Sequence, residues 1–240
     1  MKALVILISI FGFFSPQVLA QNGTLDSAFL ARAMKEQRIF YQNTVAANSS
    51  LNNGSLYKEQ IYRTKTGDVP YYLSDDWIEG SLVYGGQLFE QIDLQYDVVG
   101  NKVISHPFYS LIKMELVYER IEQFTLHGHT FVRLRELVKD NNFYDQLVVG
   151  SAMLYALRKK EVLEELSSGT VAHLFVDKTK YFIAWDGKFI EVKNRRDVLK
   201  VFSVNKTQIK KQLPRGGSFR KDPEGSLKKS VLYYNQHIAR

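Results

Sequence analysis

The chain has 240 residues, 45% hydrophobic and 24% charged, with 32 Lys+Arg against 25 Asp+Glu. These are the proportions of a globular protein, which excludes collagen-like repeats and wholesale disorder. The absence of cysteine excludes a disulfide framework, thiolate-held zinc or iron–sulfur clusters, a cysteine nucleophile and a lipid-modified cysteine anchor.

Lys2 is the only charge in the first 20 residues, and the run from Ala3 to Phe14 is apolar except for Ser9 and Gly12. Ser15-Pro16-Gln17 ends that run, and Val18-Leu19-Ala20 fits a small-residue cleavage site before Gln21. A bilayer span takes about 20 apolar residues, more than this run supplies. A basic start, a short apolar centre and such a site predict a secretory signal peptide over residues 1–20, cleaved after Ala20. No later stretch reaches spanning length, so a soluble mature chain in the periplasm or outside the cell is expected. Asn22, Asn48, Asn53 and Asn205 stand in N-x-S/T sequons. A cysteine-free exported chain of this size fits a bacterial compartment better than an oxidising eukaryotic one, so the sequons read as features of Asn-rich loops.

The mature chain opens with a predicted helix over 25–42. Thr24 can cap it, and Leu25, Phe29, Ala33 and Met34 fall near one face. The run from Asn48 to Gly54 is a loop. Over 55–192 short apolar-alternating runs are separated by turn residues. Gly85-Gly86 and Asp186-Gly187 are the best two-residue hairpin turns, with Gly100-Asn101 and His127-Gly128-His129 as two more. Consecutive hairpins predict an antiparallel meander. Met153–Leu166 is ambiguous: its Leu-Arg-Lys-Lys-Glu-Val-Leu-Glu-Glu-Leu run has helical propensity, but strand through Leu157 is preferred. After residue 195, Val198, Val201, Phe202 and Ile209 recur at helical spacing up to Pro214-Arg-Gly-Gly217. Asp222-Pro223 then starts a second helix carrying Leu227, Val231, Tyr234 and Ile238 on one face. The predicted fold is therefore α+β: an antiparallel β-meander forming a curled sheet or partial barrel, with an N-terminal helix and two C-terminal amphipathic helices. One integrated domain over 21–240 is expected.

Charge is distributed unevenly. Residues 193–240 carry 13 Lys+Arg against three Asp+Glu, a net +10, whereas residues 1–192 carry 19 against 22, a net −3. A field of this kind recruits anionic partners, whether phosphate, a lipid surface, polysaccharide or an acidic protein face. Lys210, Lys211, Arg220 and Lys221 are the basic-patch candidates. Nucleic acid is disfavoured, because export removes the usual targets and no reading motif is present.

Catalytic and cofactor signals are weak. His127 and His129 would share a face on a continuous strand, but a turn at Gly128 would splay them, and no metal-binding pattern accompanies them. Asp75-Asp76 are the nearest to paired carboxylates, yet adjacent strand residues point to opposite faces. No nucleophile elbow or phosphate-cradling glycine motif occurs, so no catalytic residue, metal or cofactor is assigned. Among the aromatic residues of the predicted strands, Trp77, Tyr84, Tyr96 and Trp185 are the candidates for lining a ligand site on a curled sheet.

The runs Leu51-Asn-Asn-Gly54 with Tyr57, Pro70-Tyr-Tyr-Leu-Ser-Asp-Asp-Trp77, Gly80, Tyr84-Gly-Gly86, Leu94-Gln-Tyr-Asp97, Phe124–Phe131, Phe143-Tyr144, Phe219-Arg-Lys-Asp222 and Tyr233-Tyr234-Asn235 span nearly the whole mature chain. Together they resemble a group of exported proteins of Bacteroidetes-type bacteria with no established activity. The resemblance implies bacterial export and a single architecture, and it assigns no functional residue. Three readings follow. The first is a non-enzymatic envelope protein acting as a binding or accessory module, its partner an anionic envelope component or another envelope protein. The second is a periplasmic carrier holding an apolar or lipid-like ligand in the curled sheet. The third is a hydrolase built on Asp75, Asp76 or the His127/His129 pair.

Overall fold

A computed structural model of the chain describes residues 27–44, 50–64, 67–106, 112–167 and 170–239. The expected signal peptide, Thr24 and the sequons at Asn22 and Asn48 lie outside these residues. The predicted N-terminal helix is α1, Ser27–Thr44, where Arg32 Nε donates to Glu36 Oε1 at 3.0 Å one turn on. The chain divides within α1, between Gln37 and Arg38, into two compact units. The sheets and the C-terminal helices belong to the second.

Among the described residues thirteen strands follow: β1 (Ser55–Leu56), β2 (Ile78–Tyr84), β3 (Gln87–Asp97), β4 (Lys102–Ser105), β5 (Met114–Glu115), β6 (Ile121–Leu126), β7 (His129–Val132), β8 (Tyr144–Val148), β9 (Met153–Leu157), β10 (Lys160–Ser167), β11 (Thr170–Asp177), β12 (Lys180–Trp185) and β13 (Lys188–Glu191). Eleven form one antiparallel sheet in the order β1-β5-β4-β3-β2-β6-β7-β8-β9-β12-β13, and β10 and β11 form a separate two-stranded sheet. The curled sheet or partial barrel is thereby corrected: the sheet is open and uncurled. Closure requires the first and last strands of the spatial order to pair. Here β1 is two residues long and pairs with β5, while β13 pairs with β12 and leads directly into helix.

Local chemistry explains the hairpins. Gly85 and Gly86 (φ +58° and +78°) join β2 to β3, and Asp186 and Gly187 (φ +51° and +66°) join β12 to β13. Both residues of each pair lie in the left-handed region that a twist-matched two-residue turn demands. His127 and Gly128 make the same turn between β6 and β7, and Asn101 (φ +56°) closes the β3–β4 turn. Inside β3 the register slips: Gly80 faces Ile92 but Ser81 faces Glu90, which leaves Gln91 as an unpaired bulge at φ +56°. The extra residue reverses the side-chain parity, so Phe89 and then Ile92, Leu94 and Tyr96 all enter one core.

The ambiguous segment resolves into two strands. β9 ends at Leu157 as preferred, and the helix-prone Lys-Glu-Val-Leu-Glu-Glu-Leu run is β10, because pairing with β11 overrides propensity. The two predicted C-terminal helices are corrected to four: α2 (Arg195–Val201), α3 (Lys206–Gln212), α4 (Gly216–Lys221) and α5 (Pro223–His237). The expected buried face is real, since Val198, Val201, Phe202 and Ile209 are all buried. It is broken at Ser203–Asn205, however, and Gly216-Gly217, where the sequence pattern ends a helix, begins α4. Asp222 caps α5 as expected, accepting from Gly225 N at 2.8 Å.

Two cores result. Leu82, Tyr84, Phe89, Leu94, Tyr96, Phe124 and Phe131 fill the first, on β2, β3, β6 and β7. The second joins Leu154 and Ile183 of the sheet to Val198, Phe202, Ile209, Leu227 and Val231 of the helices. α5 is also tied down by polar contacts. Asn235 accepts from Ala152 N at 2.9 Å and donates to Ala152 O at 2.8 Å, so one amide side chain satisfies both backbone groups of a turn residue.

Candidate anion-binding cleft

Where β13 gives way to α2, the chain runs Lys193-Asn194-Arg195-Arg196-Asp197. Asn194 caps α2, its side-chain oxygen accepting from Arg196 N at 2.8 Å and Asp197 N at 3.3 Å. Asp197 Oδ2 accepts in return from Lys193 N at 3.0 Å and Asn194 Nδ2 at 2.8 Å. This reciprocal cap fixes the backbone from which three cationic side chains project. Opposite them stands α4, held by buried Phe219, which leaves its neighbour Arg220 at the surface.

Between these elements lies a cleft of about 510 Å³ lined by Lys193, Asn194, Arg195, Arg196, Phe219 and Arg220. Among the described residues no carboxylate lines it. Arg195 Nη2 donates to the Lys210 carbonyl at 3.1 Å, which anchors one guanidinium, while its buried Nε has no hydrogen-bond partner among the described residues. Lys193 Nζ lies 3.5 Å from Glu191 Oε1 in a solvated pair worth little. Arg196 and Arg220 are exposed and form no ion pair among the described residues. Guanidinium forks of this kind match phosphate, sulfate and carboxylate oxygens.

Of the basic candidates, Arg220 lines the cleft, and Lys210 contributes its backbone carbonyl. Lys211 and Lys221 are exposed and do not line it. The sequence reading missed Lys193, Arg195 and Arg196. The signal that can find them is the Asn-x-x-Asp cap directly after a strand, bracketing two arginines.

The aromatic candidates are dispersed. Tyr84 and Tyr96 are each 1% exposed. The Tyr84 hydroxyl accepts from Val117 N, and that of Tyr96 donates to Asn101 Oδ1 at 2.8 Å. Trp77 is half-buried with the His106 ring edge-on at 4.8 Å. Trp185 donates from Nε1 to the Tyr234 hydroxyl at 2.9 Å and borders a smaller cleft of about 370 Å³, with Lys188, Ile190, Lys200 and Val201.

Asp75 and Asp76 are exposed. His127 lies in the turn at Gly128 and His129 starts β7, and both rings lie edge-on to Tyr72, at 6.1 and 5.6 Å. His129 Nδ1 sits 2.9 Å from Asp145, whose fully buried carboxylate also accepts from Arg158 Nε and Nη2 at 2.9 and 2.6 Å. Arg158 continues to Glu224 at 2.7 Å, and Glu224 to Lys228 at 2.8 Å. Burial opposes ionisation of Glu224, but the bonds from Arg158 and Lys228 outweigh it and hold the carboxyl at about 2. Burial and the Glu224 charge push the Tyr181 hydroxyl up to about 12. The network satisfies its own charges and bolts α5 to β7, β8 and the residue that follows β9. No Ser or Thr hydroxyl is hydrogen-bonded to His129 among the described residues, and among them no group of His, Asp and Glu is arranged to hold a metal ion. Among the described residues, too, no helix is long and apolar enough to cross a membrane. No family model, curated protein or solved structure matches the chain.

Proposed function

We propose that the protein is an exported binding module of the bacterial envelope, which takes an anionic group of its partner between Arg195, Arg196 and Arg220. One observation carries this reading: among the described residues, four cationic side chains and no carboxylate line a cleft of about 510 Å³. Such a cleft focuses field on an incoming anion, and its volume falls within the range of ligand sites. The basic start, apolar centre and small-residue site of residues 1–20 support export. The carrier reading loses its cup, because the sheet is uncurled and its aromatic candidates Tyr84 and Tyr96 fill the core.

Heparin, a sulfated polyanion, tests the reading. The double variant Arg196→Glu/Arg220→Glu should elute from immobilised heparin at clearly lower salt than Lys211→Glu/Lys221→Glu. Both variants change net charge equally, but only the first touches the cleft. Equal shifts in the two variants would mean that net charge, not the cleft, does the binding.

A further inference from the structure

A second cleft adjoins the arginine cleft across the corner between β13 and α2. The stretch from Glu191 to Asp197 serves both. Lys193, Asn194, Arg195 and Arg196 line the arginine cleft, while Glu191 and Asp197 line the smaller one of about 370 Å³. The corner is knit by its own bonds: Lys193 Nζ meets Glu191 Oε1, and Asp197 Oδ2 accepts from Lys193 N and Asn194 Nδ2. The two clefts therefore have this wall in common.

The lining of the second cleft is of a different kind. Trp185 and Lys188 stand directly opposite in the β12–β13 hairpin, and Ile190, two residues on from Lys188, shares their face. From α2 come Asp197, Lys200 and Val201, which one helical turn places together. Trp185 is half-buried and held in position: its Nε1 donates to the Tyr234 hydroxyl, and its ring packs at a tilt on Phe202 at 5.9 Å. Among the described residues two lysines and two carboxylates line this cleft, with Ser203. Its charges balance, whereas those of the arginine cleft do not, so it offers little to a second anion. An indole beside donors and acceptors suits a sugar ring instead. The C–H face of such a ring packs on the aromatic surface, and its hydroxyls both donate and accept.

We infer that the ligand of the arginine cleft is an acidic glycan in which charged and uncharged sugars alternate. The acidic group of one sugar lies between Arg195, Arg196 and Arg220, and the neighbouring uncharged ring lies on Trp185. The inference rests on the proposed anion-binding role of the arginine cleft and names the chemistry of its ligand. Neither cleft selects this ligand alone. Arginine forks take phosphate, sulfate or carboxylate alike, and a tryptophan-lined cleft takes many ring systems. A ligand that carries an anion and a polyol ring side by side uses both.

Tryptophan fluorescence on the exported chain tests this. The chain has two tryptophans, and Trp77→Phe leaves Trp185 as the reporter. A hyaluronan hexasaccharide, in which glucuronate alternates with uncharged N-acetylglucosamine, should quench Trp185 saturably. Tripolyphosphate, an anion without a sugar ring, should leave the emission unchanged and should reverse the quench by displacing the glycan from the arginines. In isothermal titration, Arg196→Glu/Arg220→Glu should weaken both ligands at least about tenfold. Trp185→Ala should weaken the hexasaccharide about tenfold and leave tripolyphosphate binding as it was. Should melting show that Trp185→Ala does not fold, Trp185→Phe replaces it, with a smaller loss again confined to the hexasaccharide. Three results overturn the inference and leave the anion-binding reading standing: glycan binding that does not change the emission, tripolyphosphate binding without glycan binding, and equal losses of both ligands in the Trp185 variant. Binding of either ligand that survives Arg196→Glu/Arg220→Glu removes both, as does the absence of all binding.

Discussion

At the scale of single residues, two small groups set positions on which larger features depend. A Cβ on Gly80 would lie 2.1 Å from the Thr125 carbonyl oxygen, a backbone atom that cannot move aside. The same approach lets Ser81 N donate to Thr125 Oγ1 at 2.8 Å, so β2 is drawn against β6 where the register slips. Gly80→Ala should cost about 2 kcal/mol or more through overpacking, read as a lowered urea midpoint. Heparin elution of the folded fraction should stay at the wild-type salt concentration. An unchanged midpoint would mean that β2 and β6 separate freely at this point. Asn194 acts on the cleft instead. Asn194→Ala removes two acceptor bonds at the start of α2 and should cost about 1 kcal/mol. Because it loosens the backbone carrying Arg195 and Arg196, it should also lower the heparin elution salt, which an ordinary loss of stability would leave alone.

At the scale of elements, what was readable in the sequence was local. Gly85-Gly86, Asp186-Gly187 and His127-Gly128 specify their turns through backbone angles, so neighbours in sequence suffice. Other features depend on distant partners. Gln91 carries no mark of a bulge, and only pairing with Gly80 and Ser81 makes it the extra residue. β10 has helical propensity and becomes a strand because β11 lies beside it. The openness of the sheet is set by which strands meet, and β6 crosses over to pair with β2 instead of following β5. Of the cleft, Arg220 was legible in the basic terminal segment. Arg195 and Arg196 were not, because their role arises from the approach of α4. The network binding α5 was equally hidden, as Asp145, Arg158 and Glu224 are far apart in sequence. It has a pH signature. Glu224 is held at about 2 when folded, against an ordinary carboxyl value of about 4.3 in the unfolded chain. Its depressed value stabilises the fold fully above the unfolded value, and this contribution is lost as pH falls toward the folded one. Glu224→Gln should therefore cost on the order of 2 kcal/mol at pH 7. The difference from wild type in urea unfolding should shrink steadily from pH 5 to pH 2.5. A difference constant across that range would show that Glu224 acts by packing and not by charge.

At the scale of the whole molecule, the basic residues of the C-terminal segment divide into two populations that should act at different moments of binding. Lys211 and Lys221 are exposed and do not line the cleft. Charges so placed contribute to the long-range field that gathers an anionic partner, and they are screened beyond about 10 Å at 0.1 M salt. Arg195, Arg196 and Arg220 line the cleft itself, where docking desolvates the ion pair and water no longer competes for the forks. Removing a distant charge slows arrival, whereas removing a cleft charge hastens departure. On immobilised heparin, Lys211→Glu/Lys221→Glu should mainly reduce the association rate, by several-fold at low salt and negligibly near physiological ionic strength. Arg196→Glu/Arg220→Glu should raise the dissociation rate by about tenfold or more, with a smaller dependence on salt. Net charge alone makes the opposite forecast, since both variants lose the same charge and should alter both rates in parallel. The separation of the two rates therefore measures whether the positive end of this chain is a diffuse field or contains a built site.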